Sequence, residues 1–288
     1  MEKIVEYLDI FDRIKLAKTS RSLQTFVADQ KVFHYILKLH ILHKRATLSF
    51  GNSVYIEYVR DGDDCLKYYK KRETLVRGVA YWKQAILDFT SVLKNPKLYL
   101  HTLVIESTVD NENVFSDLED AFKFNHHLNV KYFILKEYSS YKLPNFLPSL
   151  KPGYLTFINI GSHIPRGDSM NSVFEMEQWK QAKCFVLDFA DFIWPLHHLY
   201  HFEGFAVLLE TFSVENVRQM KEILFESSDF KKGLLNTSGP IDKSIFDQEF
   251  GDALREDPFI YHYPIPNSTD YFEIKVGRWT LEVQRQKS

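Results

Sequence analysis

The sequence predicts an α/β fold in which a short helical module at the N-terminus precedes a degenerate, leucine-rich-repeat-like βα solenoid with a β-hairpin at each end. Three observations support this prediction. The first thirty residues carry apolar side chains at helical spacing. An apolar pattern recurs further on, roughly every 20 to 30 residues. Two pairs of alternating segments flank tight turns. The alternative is an ordinary layered α/β domain whose strands happen to resemble one another.

The composition of the 288-residue chain limits the class of protein. Its formal net charge is −2, so no basic field predicts binding to nucleic acid. A hydrophobic fraction of 45% indicates a folded chain. Cys65 and Cys184 match no zinc or redox spacing, and no segment approaches the roughly 20 apolar residues of a transmembrane helix. We therefore expect a soluble intracellular protein, cytoplasmic or nuclear, without a membrane or nucleic-acid partner.

The N-terminal module, assigned to residues 1–45, is predicted to consist of short amphipathic helices. Ser20 is a natural N-cap for a helix that carries Leu23 and Phe26. Helices below about 12–15 residues are marginal in water, so these must pack on the rest of the chain or on a partner. An apolar stripe is expected to continue the helical region from Val32 to about Leu42. The candidate partner-contacting residues are Ile4, Val5, Leu8, Phe11, Ile14 and Leu16.

These residues resemble an F-box. The matching elements are the corner Leu8-Asp9-Ile10-Phe11-Asp12-Arg13-Ile14 and the later Ser20-Arg21 and Leu23. The resemblance implies that the module binds a Skp1-like adaptor and, through it, a cullin ubiquitin ligase. The family's usual opening, L-P-x-E, does not precede these residues, so the module is expected to be truncated at its N-terminus.

The spacing of apolar residues changes near residue 46 from that of a helix to that of a strand. Residues 54–58 and 66–68 alternate around Asp61-Gly62, which predicts a β-hairpin with Leu66 and Tyr68 on its apolar side. A helix is expected to follow over residues 79–93 and to end before Asn95-Pro96, because proline cannot continue a helix.

The recurring pattern is apolar-x-x-apolar-x-apolar. Serines between its copies predict helix starts: Ser116 and Ser172 in capping boxes, and Ser213. Strand and helix therefore alternate, and parallel strands with helices outside them are expected. The clear copies are Leu100-Leu103-Ile105, Val130-Phe133-Leu135, Ala182-Phe185-Leu187 and Phe202-Phe205-Val207.

The C-terminal part is predicted to contain a loop followed by a hairpin. Residues 236–257 are polar and patternless. Residues 272–276 and 279–283 alternate around Gly277-Arg278, which predicts a two-residue turn.

Four segments, in order, resemble the FTH domain that follows the F-box in a large family of nematode proteins. The resemblance implies that residues 46–288 form a domain that binds a target protein, with no catalytic residues and no cofactor. The segments are VLKNPKLYLHTLVIES, FEMEQWKQAK, HLYHFEGFAV and YHYPIPNSTDYFEIKV.

Catalytic and metal-binding motifs were weighed against this interpretation. His197 and His201 share a helical spacing of four, but no glutamate of a metalloprotease pattern accompanies them. No nucleophile elbow or phosphate-binding loop is present. The sequence therefore predicts a protein that is not an enzyme and needs no metal or cofactor.

The target is expected to contact the strand face that points away from the core, since side chains alternate along a strand. The alternatives are that another segment covers this face, or that the register is off by one and these residues are core. Two functions compete: a substrate receptor of a cullin ligase, and a ligase-independent adaptor or scaffold whose F-box remnant is a structural cap. The candidate target-binding residues are Tyr132, Ile134, Lys136, Tyr154, Thr156, Val186 and Asp188.

Overall fold

The computed structural model of the protein describes residues 12–13, 16, 19–29, 32–51, 54–109, 111–123, 127–137, 143–161, 170–190, 196–209, 211–226, 229–256 and 258–287. These residues form two compact units. Unit 1 contains the described residues up to Leu155, and unit 2 contains those from Thr156 onward.

Short helices accompany the strands in both units. No helix in these ranges is long and apolar enough to cross a membrane. The helices of unit 1 are α1 (Arg21–Asp29), α2 (Tyr81–Leu93), α3 (Glu112–Ala121) and α4 (Leu143–Phe146), with a 3-10 turn at Leu147–Ser149. Those of unit 2 are α5 (Asn171–Phe174), α6 (Glu177–Lys180), α7 (Val214–Glu226) and α8 (Ser244–Phe250), with a 3-10 turn at Leu196–Leu199.

Unit 1 is built on strands in the order β7-β6-β1-β2-β3-β4-β5. Strands β1, β6 and β7 are parallel to one another, and β1 to β5 form an antiparallel meander. The strands are β1 (Val32–Ile41), β2 (Arg45–Phe50), β3 (Val54–Asp61), β4 (Asp64–Tyr69), β5 (Arg72–Val76), β6 (Leu98–Ser107) and β7 (Asn129–Glu137).

The predicted helical stripe from Val32 to about Leu42 is wrong, because this segment is strand β1. Leu37, Leu39 and Ile41 are fully buried, while the side chains between them are partly exposed, which is the period of a strand. Periodicity alone does not separate a short apolar strand from a buried helix. The long-range pairing of β1 with β2 and β6 decides the outcome here.

The recurring pattern places its apolar residues in the core, as predicted. Leu103 and Ile105 on β6 and Phe133 and Leu135 on β7 are fully buried. Between these two strands lies α3, so the predicted alternation of parallel strand and helix is present. The mixed α/β fold is therefore confirmed, whereas a leucine-rich-repeat-like solenoid stays a prediction.

Unit 2 repeats this parallel arrangement and ends in an antiparallel one. Its strands lie in the order β8-β9-β10-β11-β15-β14-β13-β12. The first four strands in this order are parallel to one another. From β11 onward, each strand is antiparallel to the next one in the order. The strands are β8 (Phe157–Ile160), β9 (Cys184–Ala190), β10 (Gly204–Leu209), β11 (Lys232–Thr237), β12 (Arg255–Glu256), β13 (Phe259–Pro264), β14 (Tyr271–Val276) and β15 (Thr280–Gln286).

The N-terminal hairpin forms as predicted by β3 and β4, but its predicted facing on β4 is wrong. Cys65 and Tyr69 point to the core, and Leu66 and Tyr68 are only half-buried. Apolar residues of β4 occur at both odd and even positions, so alternation alone does not determine which side chains face the core. Lys67 shares the inward side because it pairs with Asp88 of α2.

The C-terminal hairpin is confirmed, with its loop one residue later than predicted. The Gly277 N–H donates to the Thr280 carbonyl over 2.8 Å, so the two loop residues are Arg278 and Trp279. The predicted loop over residues 236–257 is wrong in part, because it contains α8 and β12. Phe246 of α8 is fully buried, and a helix of seven residues is too short to show a clear apolar period.

The predicted helix starts have different outcomes. Ser213 caps α7, since its Oγ accepts a hydrogen bond from the Asn216 N–H over 3.3 Å. Ser116 lies inside α3, which Asn111 caps by accepting from the Asn113 N–H over 2.9 Å. Ser172 lies within α5, which has no side-chain cap.

Candidate functional site on the strand face of unit 1

The predicted adaptor-binding module is described in part. Leu16 is half-buried, and its carbonyl oxygen accepts hydrogen bonds from the Thr19 N–H at 3.1 Å and from Thr19 Oγ1 at 2.7 Å. Ser20 Oγ accepts from the Leu23 N–H over 3.2 Å at the start of α1, the N-cap contact that its sequence position predicts. The remaining predicted contact residues lie outside the described residues: Ile4, Val5, Leu8, Phe11 and Ile14.

The F-box-like corner touches the hairpin turn between β4 and β5. Asp12 Oδ2 lies 2.8 Å from Lys70 Nζ. Lys70 and Lys71 form this turn with φ values of 48° and 60°, a left-handed conformation that residues other than glycine and asparagine seldom adopt. The turn therefore presents Lys70 toward the N-terminal segment in a conformation that the rest of the hairpin must hold.

The second candidate surface is the outward side of the parallel strands β1, β6 and β7, which we call the strand face. Pairing between these strands aligns Lys38, Val104 and Ile134 in one row and His40, Glu106 and Lys136, which we call the charged row, in the next. The rings of Tyr35, His101 and Tyr132, which we call the ring row, are connected by ring contacts. Strand pairing instead aligns Tyr132 with Thr102 and Ile36.

The ring row is a continuous series of aromatic contacts. Tyr35 stacks on His101 with centroids 4.6 Å apart, and His101 lies 4.5 Å from the ring of Tyr132. Tyr35 is 68% exposed. Tyr99 and Tyr154 add an edge-to-face pair in the same unit, with centroids 6.1 Å apart. Large rings that are only partly buried are typical of interaction surfaces.

The charged row and the neighbouring Lys38 bring positive, negative and titratable groups together. Lys38 Nζ lies 2.6 Å from Glu106 Oε2. Burial alone would raise the pKa of Glu106, but the hydrogen bond from Lys38 and the neighbouring positive groups hold it below its usual value. Partial burial lowers the pKa of His40 and exceeds the attraction of Glu106, so this imidazole is neutral at pH 7.

The predicted target-binding residues are divided between the two units. Tyr132, Ile134 and Lys136 are half-buried on β7 of unit 1, and Tyr154 is half-buried near the end of that unit. The other three belong to unit 2. There the Thr156 carbonyl accepts from the N–H groups of Lys183 and Cys184 at 2.9 Å each, Val186 is half-buried on β9, and Asp188 is exposed. Their role in binding stays a prediction.

Sequence analysis missed the contribution of β1 to the strand face. Tyr35, Lys38 and His40 belong to it, but a helical interpretation of this segment placed them elsewhere. His101 was missed because β6 deviates from strict alternation, with both Leu100 and Leu103 buried. The signal that could have identified Lys38 and His40 is the alternation of Leu37, Leu39 and Ile41 with polar residues.

The histidine cluster of unit 2 is part of an aromatic core. His198 stacks on Phe174 at 3.7 Å between centroids, and a ring nitrogen of His201 lies 2.9 Å from the Trp179 carbonyl oxygen. His197 is exposed. Among the described residues, no group of three or more His, Cys, Asp or Glu side chains could hold a metal ion.

Comparison with known proteins adds two domain matches and a relative. The F-box domain model matches residues 1–35, and the FTH domain model matches residues 112–250. F-box A protein 224 of Caenorhabditis elegans is 24% identical over 279 residues, which cover 91% of this chain and 71% of that protein. Strand β7, one of the three strands of the strand face, lies within the FTH match.

Proposed function

We propose a function for this chain from the premise that it belongs to the nematode F-box proteins that carry an FTH domain. It is the substrate-recognition subunit of an SCF-type cullin ubiquitin ligase. Its F-box binds a Skp1-like adaptor, and its FTH domain binds a target protein. The observation that carries this proposal is the order of the two domains, an F-box match at residues 1–35 ahead of an FTH match at residues 112–250. The family suggests an adaptor rather than an enzyme.

The adaptor contact is assigned to the apolar side chains of the first sixteen residues. We propose a module over residues 1–45 and a target-binding domain over residues 46–288, whose parallel strands follow one another as in a degenerate solenoid. Leu16 supports the adaptor role because its side chain is not fully covered within unit 1. The proposed contact residues are Ile4, Val5, Leu8, Phe11, Ile14 and Leu16.

The adaptor experiment uses a purified Skp1-like protein and the full chain. Burying one Leu or Ile side chain contributes about 1.5–3 kcal/mol, so Leu8→Asp combined with Ile14→Asp should abolish the complex. Tyr200→Ala, at an exposed position of unit 2, is the matched control and should leave binding unchanged. Retention of the complex by the double variant, or no complex with the unaltered chain, contradicts the receptor proposal.

The target contact is assigned to the strand face and to the predicted positions of unit 2. Support comes from the half-buried rings of Tyr132 and Tyr154, which are partly solvent-accessible in unit 1. Tyr132→Ala with Tyr154→Ala should remove target binding without changing the melting temperature. A large fall in melting temperature would instead place both rings in a structural role. The remaining positions are Ile134, Lys136, Thr156, Val186 and Asp188.

A ligase-independent adaptor or scaffold is the second candidate, and the Asp12–Lys70 ion pair favours it. In that case the F-box remnant packs on unit 1 as a structural cap, and Leu8→Asp with Ile14→Asp lowers the melting temperature of the isolated chain. In the receptor case the same variant loses the adaptor and keeps its melting temperature. Measuring both the melting temperature and the adaptor binding of this variant therefore separates the two functions.

A further inference from the structure

Strand β5 leaves one edge of the sheet of unit 1 unpaired. It is the last strand in the order, it pairs with β4, and its residues from Arg72 to Leu75 are exposed. The two-residue turn makes Tyr69 and Arg72 a hydrogen-bonded pair, and such pairs alternate with non-bonded ones along an antiparallel ladder. The N–H and C=O groups of Glu73 and Leu75 therefore point away from β4, and no other described residue bonds to them.

An edge of this kind is complemented by a second extended backbone. The free N–H and C=O groups alternate along β5 at the spacing of another strand, which can add to the sheet by main-chain hydrogen bonds. A helix cannot supply these bonds, because its own backbone groups are bonded internally. Strands β1 to β5 are antiparallel neighbours, so an antiparallel segment continues the meander.

An apolar row ends at this edge. Strand pairing aligns Val59, Leu66 and Leu75 across β3, β4 and β5. The first two side chains are half-buried, whereas Leu75 is 43% exposed. Side chains directly opposite each other on a ladder pack together, so an apolar residue opposite Leu75 would cover the open end of the row.

The neighbouring row selects a charge. Strand pairing aligns Glu57, Tyr68 and Glu73. The Tyr68 hydroxyl is hydrogen-bonded to Glu73, and no ion pair of the described residues includes Glu73. The adjacent Arg72 points to the other side of the strand. A basic residue opposite Glu73 therefore gains an opposite-charge pair, and an acidic residue there is repelled.

We propose that the free edge of β5 binds an extended segment of the target protein as an additional antiparallel strand, with a basic residue opposite Glu73 and an apolar residue opposite Leu75. These two residues of the segment are two positions apart, as Glu73 and Leu75 are. The inference rests on the proposed function, because it takes the occupant from the target. It adds a main-chain contact to the side-chain contacts assigned to the strand face.

The test uses the full chain and a short synthetic peptide of threonines in which a lysine and a valine stand two positions apart, with binding measured by NMR titration. In the antiparallel strand the N–H groups of this lysine and valine face β5, and those of the next residues face solvent. N-methylation of the lysine and the valine should therefore abolish binding. The matched control is N-methylation of the two threonines that follow them, which should leave binding unchanged. A peptide with glutamate in place of lysine should bind about tenfold more weakly.

Variants of the chain locate the contact. Glu73→Lys should reverse the preference between the lysine and glutamate peptides, which also shows that the variant is folded. Glu282→Lys is the matched control, at an exposed position of β15, both edges of which are paired, and should keep the preference. Leu75→Pro should abolish binding, because it removes an N–H that faces the peptide rather than β4.

Hydrogen exchange identifies the backbone groups that take part. The amides of Glu73 and Leu75 should exchange about tenfold more slowly when the lysine peptide is bound, since they gain partners. The amide of Thr74, which is bonded to β4 in the free chain, should change little.

Several results would overturn the proposal. Equal effects of the two methylated sets would make the contact one of side chains alone. Unchanged exchange of Glu73 and Leu75, or an unchanged preference in Glu73→Lys, would place the site elsewhere. A dimer of the free chain that Leu75→Pro abolishes would make the occupant a second copy. The adaptor takes no part in these measurements, so failure of the proposed function is seen separately in the Skp1-like complex.

Discussion

A buried cluster of side chains in unit 1 and another in unit 2 are held together by different chemistry. In unit 1, Asp88 of α2 is 6% exposed, accepts a hydrogen bond from Tyr58 Oη over 2.8 Å and pairs with Lys67. In unit 2, Trp179 packs edge-on against Phe185 and Phe202, with centroids 4.8 and 5.0 Å away. The first cluster depends on directional polar contacts and the second on ring packing.

This difference affects how each unit tolerates change. The polar cluster of unit 1 fixes α2 to the hairpin of β3 and β4, because a displaced helix would leave Lys67 and Tyr58 without their partner. Burial of Tyr58 and the nearby Asp88 raise the pKa of the phenol, and burial raises the pKa of Cys65 to about 11, so both stay protonated. The described contacts of Trp179 with Phe185 and Phe202 impose shape rather than such pairing, so volume decides the stability of this cluster.

The largest expected effect is that of Trp179→Ala in unit 2. Trp179 is 1% exposed, and truncating a buried Trp costs about 3–5 kcal/mol because it leaves a cavity among the remaining rings. Urea denaturation followed by circular dichroism measures the change. Tyr200→Ala should alter the free energy of unfolding by less than about 0.5 kcal/mol. A loss below about 1 kcal/mol for Trp179→Ala would show that unit 2 does not depend on ring packing.

The next effect is that of Asp88→Ala in unit 1. Lys67 would keep its charge beside the core and Tyr58 its unpaired hydroxyl, so we expect a loss of about 3 kcal/mol, at the lower end for a buried pair because Lys67 is partly exposed. The matched control is Asp88→Leu with Lys67→Met and Tyr58→Phe, which removes the hydroxyl that Asp88 accepts from as well. Apolar replacement of all partners is often close to neutral, so the control should recover most of the loss. Equal losses in the two variants would mean that packing, rather than pairing, holds α2.

Local patterns predicted much of this fold, and long-range pairing decided the rest. The buried positions of β6 and β7 followed from a recurring pattern whose apolar residues lie close together in the sequence. The strand conformation of β1 could not be predicted in this way, since its apolar residues fit both the helical period and the strand period. Only its hydrogen bonds to β2 and β6 select the strand. Which side chains of β4 point to the core depended on the contact of Lys67 with Asp88, which is 21 residues away in the sequence. The candidate site was therefore predicted on β7 and missed on β1.

The third expected effect is a pH dependence of the free energy of unfolding that arises from the buried histidines of unit 2. Partial burial and the neighbouring His197 lower the pKa of His198 to about 4, while the unfolded chain keeps a value near 6.5. The unfolded state therefore binds a proton between these values that the folded state does not, so stability falls as pH decreases from about 6.5 to 4. His201 has a lowered pKa from burial and acts in the same direction.

His198→Phe should remove part of this dependence while it preserves the stack on Phe174. The measurement is the free energy of unfolding by urea at several pH values between 4.5 and 6.5. Tyr55→Ala, at an exposed position of unit 1, should leave the slope unchanged. The interpretation fails if His198→Phe retains the full slope.

The smallest expected effect concerns the contact between Asp12 and Lys70, whose side chains are 31% and 58% exposed. Exposed ion pairs contribute about 0.2–1 kcal/mol, so Asp12→Asn and Lys70→Gln should each cost less than about 1 kcal/mol, and high salt should erase the difference. A double-mutant cycle isolates the coupling between the two groups. A coupling well above 1 kcal/mol would show that the Asp12–Lys70 contact holds the F-box-like corner in place on the hairpin turn. That result would favour the structural cap, because the adaptor and the hairpin turn would then compete for the same corner.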